Sequence, residues 1–197
     1  DVDGLAVGAA GAKAGVGGIQ LGHLAAQAAG HGSGGVVRGR GAVGVGVARA
    51  HLLACAAHQF EEGDVQHWWH PPRYGVRTRL SDDKLFLPYV TALYVQITGD
   101  TSILSEEAPY LHGDPLSEEE TERLFSPEVS EISEPLRLHC LRAIDHVACG
   151  AHGLPLMGGG DWNDGMNLVG IGGKGESVWL GFFLCDVLRR FAPLAAA

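Results

Sequence analysis

The chain has 197 residues, enough for one domain-sized core, and 46% of them are apolar, an ordinary share for a globular protein. A formal charge of −9 with few, scattered basic residues argues against holding nucleic acid through its phosphates. No stretch reaches the roughly 20 apolar residues of a membrane helix, no secretory leader is visible, and Cys55, Cys140, Cys149 and Cys185 lack CxxC spacing and read as free thiols.

Residues 1–48 differ from the rest. Of the 30 glycines, 15 fall in residues 1–50, a stretch with no Phe, Trp or Tyr and almost no acids. Glycine costs about 1 kcal/mol relative to alanine in a helix interior, and Val43 to Val47 alternates valine with glycine, which leaves a strand little to pack. A poorly structured Gly/Ala/Val-rich segment is expected. Two explanations stand: a flexible low-complexity leader, or high-GC coding sequence read out of frame, which the abrupt change near Arg49 favours.

From residue 49 onward the pattern is helical. Ser81-Asp82-Asp83 can cap a helix with apolar positions at Leu85, Pro88, Tyr89, Ala92 and Leu93, ended by Gly99-Asp100. Ser117 with Glu120 has the spacing of a capping box for a short acidic helix. Leu136, Cys140, Leu141, Ile144 and Val147 make an apolar stripe closed by Gly150, and Ser177 to Phe191 forms a last helix. Between these two lies a glycine-rich loop, residues 153–175. No run of alternating strands is evident, so the fold class is all-α.

Two patches hold the chemically useful side chains. Residues 58–83 bring three histidines, two tryptophans and three arginines beside Pro71-Pro72; residues 153–167 set Asp161, Asn163 and Asp164 around Trp162. Sugar sites need this mixture, because an indole stacks on C–H faces while carboxylates and guanidinium groups hold hydroxyls. A glycosidic oxygen leaves once an acid protonates it, and Asp164, beside an indole and a second acid, has neighbours suited to raise its pKa.

Plainer readings compete. Asp161 to Gly165 fits an Asx-rich turn about as well; as a calcium loop it lacks oxygen ligands where Gly165 and Gly172 stand. Gly172 to Ser177 is no phosphate loop, because glycine follows Lys174. His67 and His70 have no HExxH and no third ligand, so no metal or cofactor is expected. Trp68-Trp69 suits a core better than a sugar platform, and Glu118-Glu119-Glu120 a solvated face.

Taken together, GVRTRLSDDKLFLPYVTALYVQITGD, HCLRAIDHVACGAHGLPLMGGGDWNDGMN and GGKGESVWLGFFL resemble the family 94 glycoside phosphorylases over residues 49–194, and HQFEEGDVQHWWHPP is similar to the C-terminal catalytic domain of cyclic β-1,2-glucan synthases. The resemblance implies a partial (α/α)6 barrel over 49–197. It implies Asp164 as general acid, Trp162 bordering the −1 sugar, Arg77 and Asp83 holding that sugar's hydroxyls, and Asp161, Asn163 and Asp82 in support. The implied reaction is inverting phosphorolysis of a β-glucoside, with β-1,2-glucan the expected substrate and inorganic phosphate the co-substrate. The residues that hold phosphate in such enzymes fall outside these 197, so the isolated chain is expected to be inactive, as part of a larger polypeptide with any membrane attachment elsewhere. A cytoplasmic location, or the cytoplasmic face of the inner membrane, is expected.

Two alternatives remain open from the residues. One is an inverting hydrolase on the same scaffold, with Asp83 or Glu62 as base. The other is a non-catalytic fragment. Linkage preference among β-1,2-glucan, cellobiose and chitobiose is also open.

Overall fold

The computed structural model describes residues 40–196, and the side chains of residues 40–43 and of Asp164 lie outside what it describes. The expectation for residues 1–39 therefore lies outside the described residues. The last part of the Gly-rich segment differs from expectation: helix α1 spans Arg40–Ala56 and so includes residues 40–48. Gly44 and Gly46 have open space around them, and burial begins farther along at Leu52, Cys55 and Ala56. Packing at that end holds the helix in spite of its glycines.

Three more helices follow: α2 (Phe86–Thr98), α3 (Leu136–Asp145) and α4 (Val178–Ala195). Helix α2 packs against the other three. Leu52 and Ala56 of α1, Leu87, Val90 and Val95 of α2, Leu136 and Cys140 of α3 and Phe191 of α4 meet in one core. The expected stop of α2 is present: Gly99 is left-handed at φ 71° and its N–H bonds the carbonyl of Val95. The start differs. A 3-10 turn, Asp83–Leu85, precedes α2, and neither the turn nor the helix has a side-chain N-cap. Helix α3 ends at Asp145, short of Val147. At α4, Ser177 accepts the N–H of Leu180 at 2.9 Å, as a capping serine should.

The all-α expectation is corrected. Five strands stand among the described residues: β1 (Gln66–His70), β2 (Tyr74–Thr78), β3 (Glu107–His112), β4 (Glu122–Phe125) and β5 (Glu128–Pro135). β1, β2 and β4 form an antiparallel sheet in that order, with Arg77 opposite Arg123, while β3 and β5 form a separate antiparallel pair. These strands are four to eight residues long and lean on loops, so period-2 alternation is weak. The (α/α)6 barrel is not established by this set of helices and sheets.

The Ser117/Glu120 box makes its reciprocal bond, Ser117 N–H to Glu120 at 2.9 Å, yet no helix follows. Glu120 also pairs with Arg123, and the chain turns into β4. The expected loop at 153–175 is there, pinned to the strand end: Gly159 N–H bonds Arg79 O at 2.7 Å and Ser81 N–H bonds Gly160 O at 2.9 Å. Gly158 has φ 61°, and a Cβ there would sit 2.4 Å from Arg79 O; one at Gly170 would sit 2.1 Å from Gly158 O. Only glycine lets these backbones approach so closely.

Candidate functional site

A cleft of about 1250 Å³ opens where β2 meets the two long loops. Arg77, Arg79 and Ser81 line one side, Glu118 to Glu122 and Gly170 to Gly173 the rims, and Asp64, Lys84 and His146 reach it as well.

Strand β2 presents Arg77 into this wall at only 2% exposure. All five of its N–H donors are used. Nε and Nη2 grip both oxygens of Asp64 at 2.7 Å, Nη2 also reaches Glu62 at 2.9 Å, and Nη1 bonds the carbonyls of Gly113 at 3.0 Å and Asp114 at 3.2 Å. The guanidinium lies 3.9 Å above the ring of Phe60. Burial works against the charge, but the two carboxylates outweigh it and raise the pKa of Arg77. Glu62, with 42% of its side chain exposed, is the loosest member of this cluster.

Asp83 accepts from His67 Nδ1 at 2.8 Å through Oδ2, and its side chain is 16% exposed. Its neighbour Asp82 is 4% exposed. Burial, followed by the charges of Asp83 and Asp161, pushes the Asp82 carboxyl up to about 7. The next residue, Lys84, is buried too, and its ammonium donates to Ser81 O at 3.0 Å. Burial lowers its pKa, against the charges of Asp64, Asp83 and Asp82. Burial and then Lys84 also lower His146 on the same cleft wall.

The 161–164 loop is fastened from below. Asp161, 3% exposed, accepts Ser177 Oγ at 2.7 Å and Asn163 N–H at 3.1 Å, which ties the loop to the cap of α4. Asn163 accepts the N–H of Gly165 at 3.1 Å, an Asx turn into the 3-10 turn Asp164–Met166. The backbone of Asp164 is thereby placed; its side chain lies outside the described residues. Trp162 is 62% exposed and tilts against Trp179 of α4 with ring centroids 6.1 Å apart.

Of the expected site residues Arg77 lines the cleft, whereas Asp82, Asp83, Asp161, Trp162 and Asn163 sit outside its lining; Asp82 lies behind the wall, within electrostatic reach of Asp83 and Asp161. Trp68 lines the cleft, whereas Trp69 stacks on His58 at 4.0 Å against the core. Sequence reasoning passed over Asp64, Lys84 and His146. Asp64 lay within the first patch and Lys84 directly after it, whereas His146 lay outside both, and nothing in the spacing of Lys84 marks it as facing a cleft rather than solvent.

Comparison with known proteins identifies the family of the chain. The family described as the glycosyl hydrolase 94 superfamily, catalytic domain, matches residues 43–197. The chain is 49% identical over 154 residues to the cyclic β-(1,2)-glucan synthase NdvB of Rhizobium meliloti, covering 77% of this chain and 5% of that protein. It is 30% identical over 152 residues to a solabiose phosphorylase of Paenibacillus borealis, covering 76% and 17%. A 3-O-β-D-glucopyranosyl-β-D-glucuronide phosphorylase of the same organism is 28% identical, covering 74% and 18%. The chain spans less than a fifth of the length of each of these relatives.

Proposed function

The chain belongs to the glycosyl hydrolase 94 superfamily, and from that premise we propose that it serves the inverting phosphorolysis of β-linked glucosides, with β-1,2-glucan as substrate. The observation that carries this is the match over residues 43–197, which takes in the loop at 161–164, joined to 49% identity with a cyclic β-(1,2)-glucan synthase.

In this proposal Asp164 is the general acid and protonates the glycosidic oxygen as it leaves. Inorganic phosphate attacks the anomeric carbon from the opposite face and yields α-glucose 1-phosphate. Asp83 accepts a sugar hydroxyl through the oxygen that His67 leaves open, and Arg77 donates to another once the half-exposed Glu62 gives way. Trp162 offers its exposed face to the sugar. Asp161, Asn163 and Asp82 brace the loop and its root. Phosphate-holding residues are placed outside this chain, which then acts as part of a larger polypeptide and is inactive alone.

A hydrolase would need a carboxylate base for water. The two candidates are Glu62, which pairs with Arg77, and Asp83, which accepts from His67, and the reaction products separate the two readings. The test is to exchange residues 43–197 into the matching region of the Rhizobium meliloti synthase and follow the catalytic domain's products. Glucose 1-phosphate that appears only with phosphate is the expected result; free glucose released without phosphate would favour the hydrolase.

A further inference from the structure

Lys84 is a buried charged group in the cleft that the proposed function leaves without a task. It is 7% exposed yet reaches the cleft lining. An ammonium carries three N–H donors. One of them bonds Ser81 O at 3.0 Å, and no ion pair within 4.0 Å joins Lys84 to a carboxylate among the described residues. Arg77, a few residues earlier on the same wall, has none of its five donors left. A buried cation with open donors is costly unless whatever fills the adjoining space supplies acceptors.

We propose that Lys84 is a sugar-contacting residue on the floor of the cleft: its ammonium donates to a hydroxyl oxygen of the bound carbohydrate, and that hydroxyl donates in turn to the Asp64 carboxylate. This rests on the proposed function in so far as the occupant is a carbohydrate. Asp64 lines the cleft and is the strongest acidic influence on Lys84. Its two oxygens each take one bond from Arg77, and a carboxylate oxygen accepts two. A hydroxyl is both donor and acceptor, so a cation set beside a carboxylate matches it on both counts. Phosphate fits less well. A dianion at Lys84 would meet the charges of Asp64 and Asp83, with Asp82 beside them.

The test uses the whole chain labelled with 13C at lysine, titrated separately with D-glucose, with the β-1,2-linked disaccharide of glucose, and with inorganic phosphate at matched ionic strength. The Lys84 Cε resonance, assigned with Lys84→Met or Lys84→Arg, is expected to move with either sugar and to stay fixed with phosphate. Lys84→Met is expected to weaken sugar binding about tenfold, the loss of one hydrogen bond from a charged donor. Sugar binding in which Lys84 stays still and Lys84→Met binds as well as wild type overturns this inference and leaves the proposed function standing. Wild-type chain that binds neither sugar overturns this inference, and the proposed function is then decided by the exchange into the Rhizobium meliloti synthase. Movement with phosphate alone makes Lys84 an anion site and overturns it as well. Should Lys84→Met fail to fold by circular dichroism, the wild-type titration decides.

Discussion

Two cations sit on one wall of the cleft and are treated in opposite ways. Arg77 is enclosed by five acceptors and a phenyl ring, its charge balanced by Asp64 and Glu62. Lys84 is nearly as buried and makes a single hydrogen bond to Ser81 O. Similar burial therefore carries different meaning. Arg77 fastens β2 to the loops at 60–64 and 113–114, so its removal strands carboxylates and carbonyls that the fold has arranged around it. Lys84 fastens little, and what its charge does must be sought in the cleft.

Substitutions can break or sharpen that contrast. Arg77→Met is expected to lower unfolding free energy by about 4 kcal/mol in urea titration, because breaking a buried pair leaves its partners uncompensated. A loss under 1 kcal/mol would mean that the cluster is dispensable. Asp82→Asn tests the ground between the two cations. The folded-state pKa of Asp82 is raised from 3.8 to about 7, so between those values the folded chain keeps a proton that the unfolded chain has lost. Stability therefore falls as pH rises through about 4 to 7. Histidines 51, 58, 139 and 146 are held below their ordinary value by burial and tilt the curve the other way as pH rises to about 6.5. The difference between variant and wild type isolates Asp82: Asp82→Asn is expected to stabilise by on the order of 3 kcal/mol at pH 8 and by almost nothing at pH 4. A difference that does not change with pH would contradict it.

Smaller effects follow. Ser177→Ala removes both the cap of α4 and the donor to Asp161. It is expected to cost about 1 kcal/mol and to speed amide exchange at residues 161–165; unchanged exchange there would separate the cap from the loop. Lys84→Met is expected to change stability by less than about 1 kcal/mol, having no close ion pair to break. A large loss would make it a second Arg77.

Helices were the legible part of the fold. The stop at Gly99 and the start at Ser177 follow from local chemistry, a left-handed glycine and a hydroxyl cap, and local chemistry is visible in sequence. The strands were not legible. β2 is held by Arg77 reaching Gly113 and Asp114, 36 and 37 residues away, and β5 is an exposed partner with Val129 and Ile132 facing outward. Neither fact leaves a periodic trace. The Ser117/Glu120 box shows the limit from the other side, because its bond forms but Arg123 and the pairing with β2 take the chain into a strand. At the site, the acids and aromatics of the two patches were legible as types. Their engagements were not: the closure of Arg77, the proton held by Asp82 and the open ammonium of Lys84 depend on burial, which needs three dimensions.

The most direct test of Asp164 as general acid is the rate of phosphate-dependent glucose 1-phosphate release by the Rhizobium meliloti synthase carrying residues 43–197 of this chain. Asp164→Asn in that exchange is expected to cut the rate by a factor of about 10² to 10⁴, while Asp82→Asn, buried away from the cleft, leaves most of it. An Asp164→Asn exchange that turns over at the unsubstituted rate would contradict the assignment, and a rate lost instead with Asp82→Asn would move the acid to the root of the cleft.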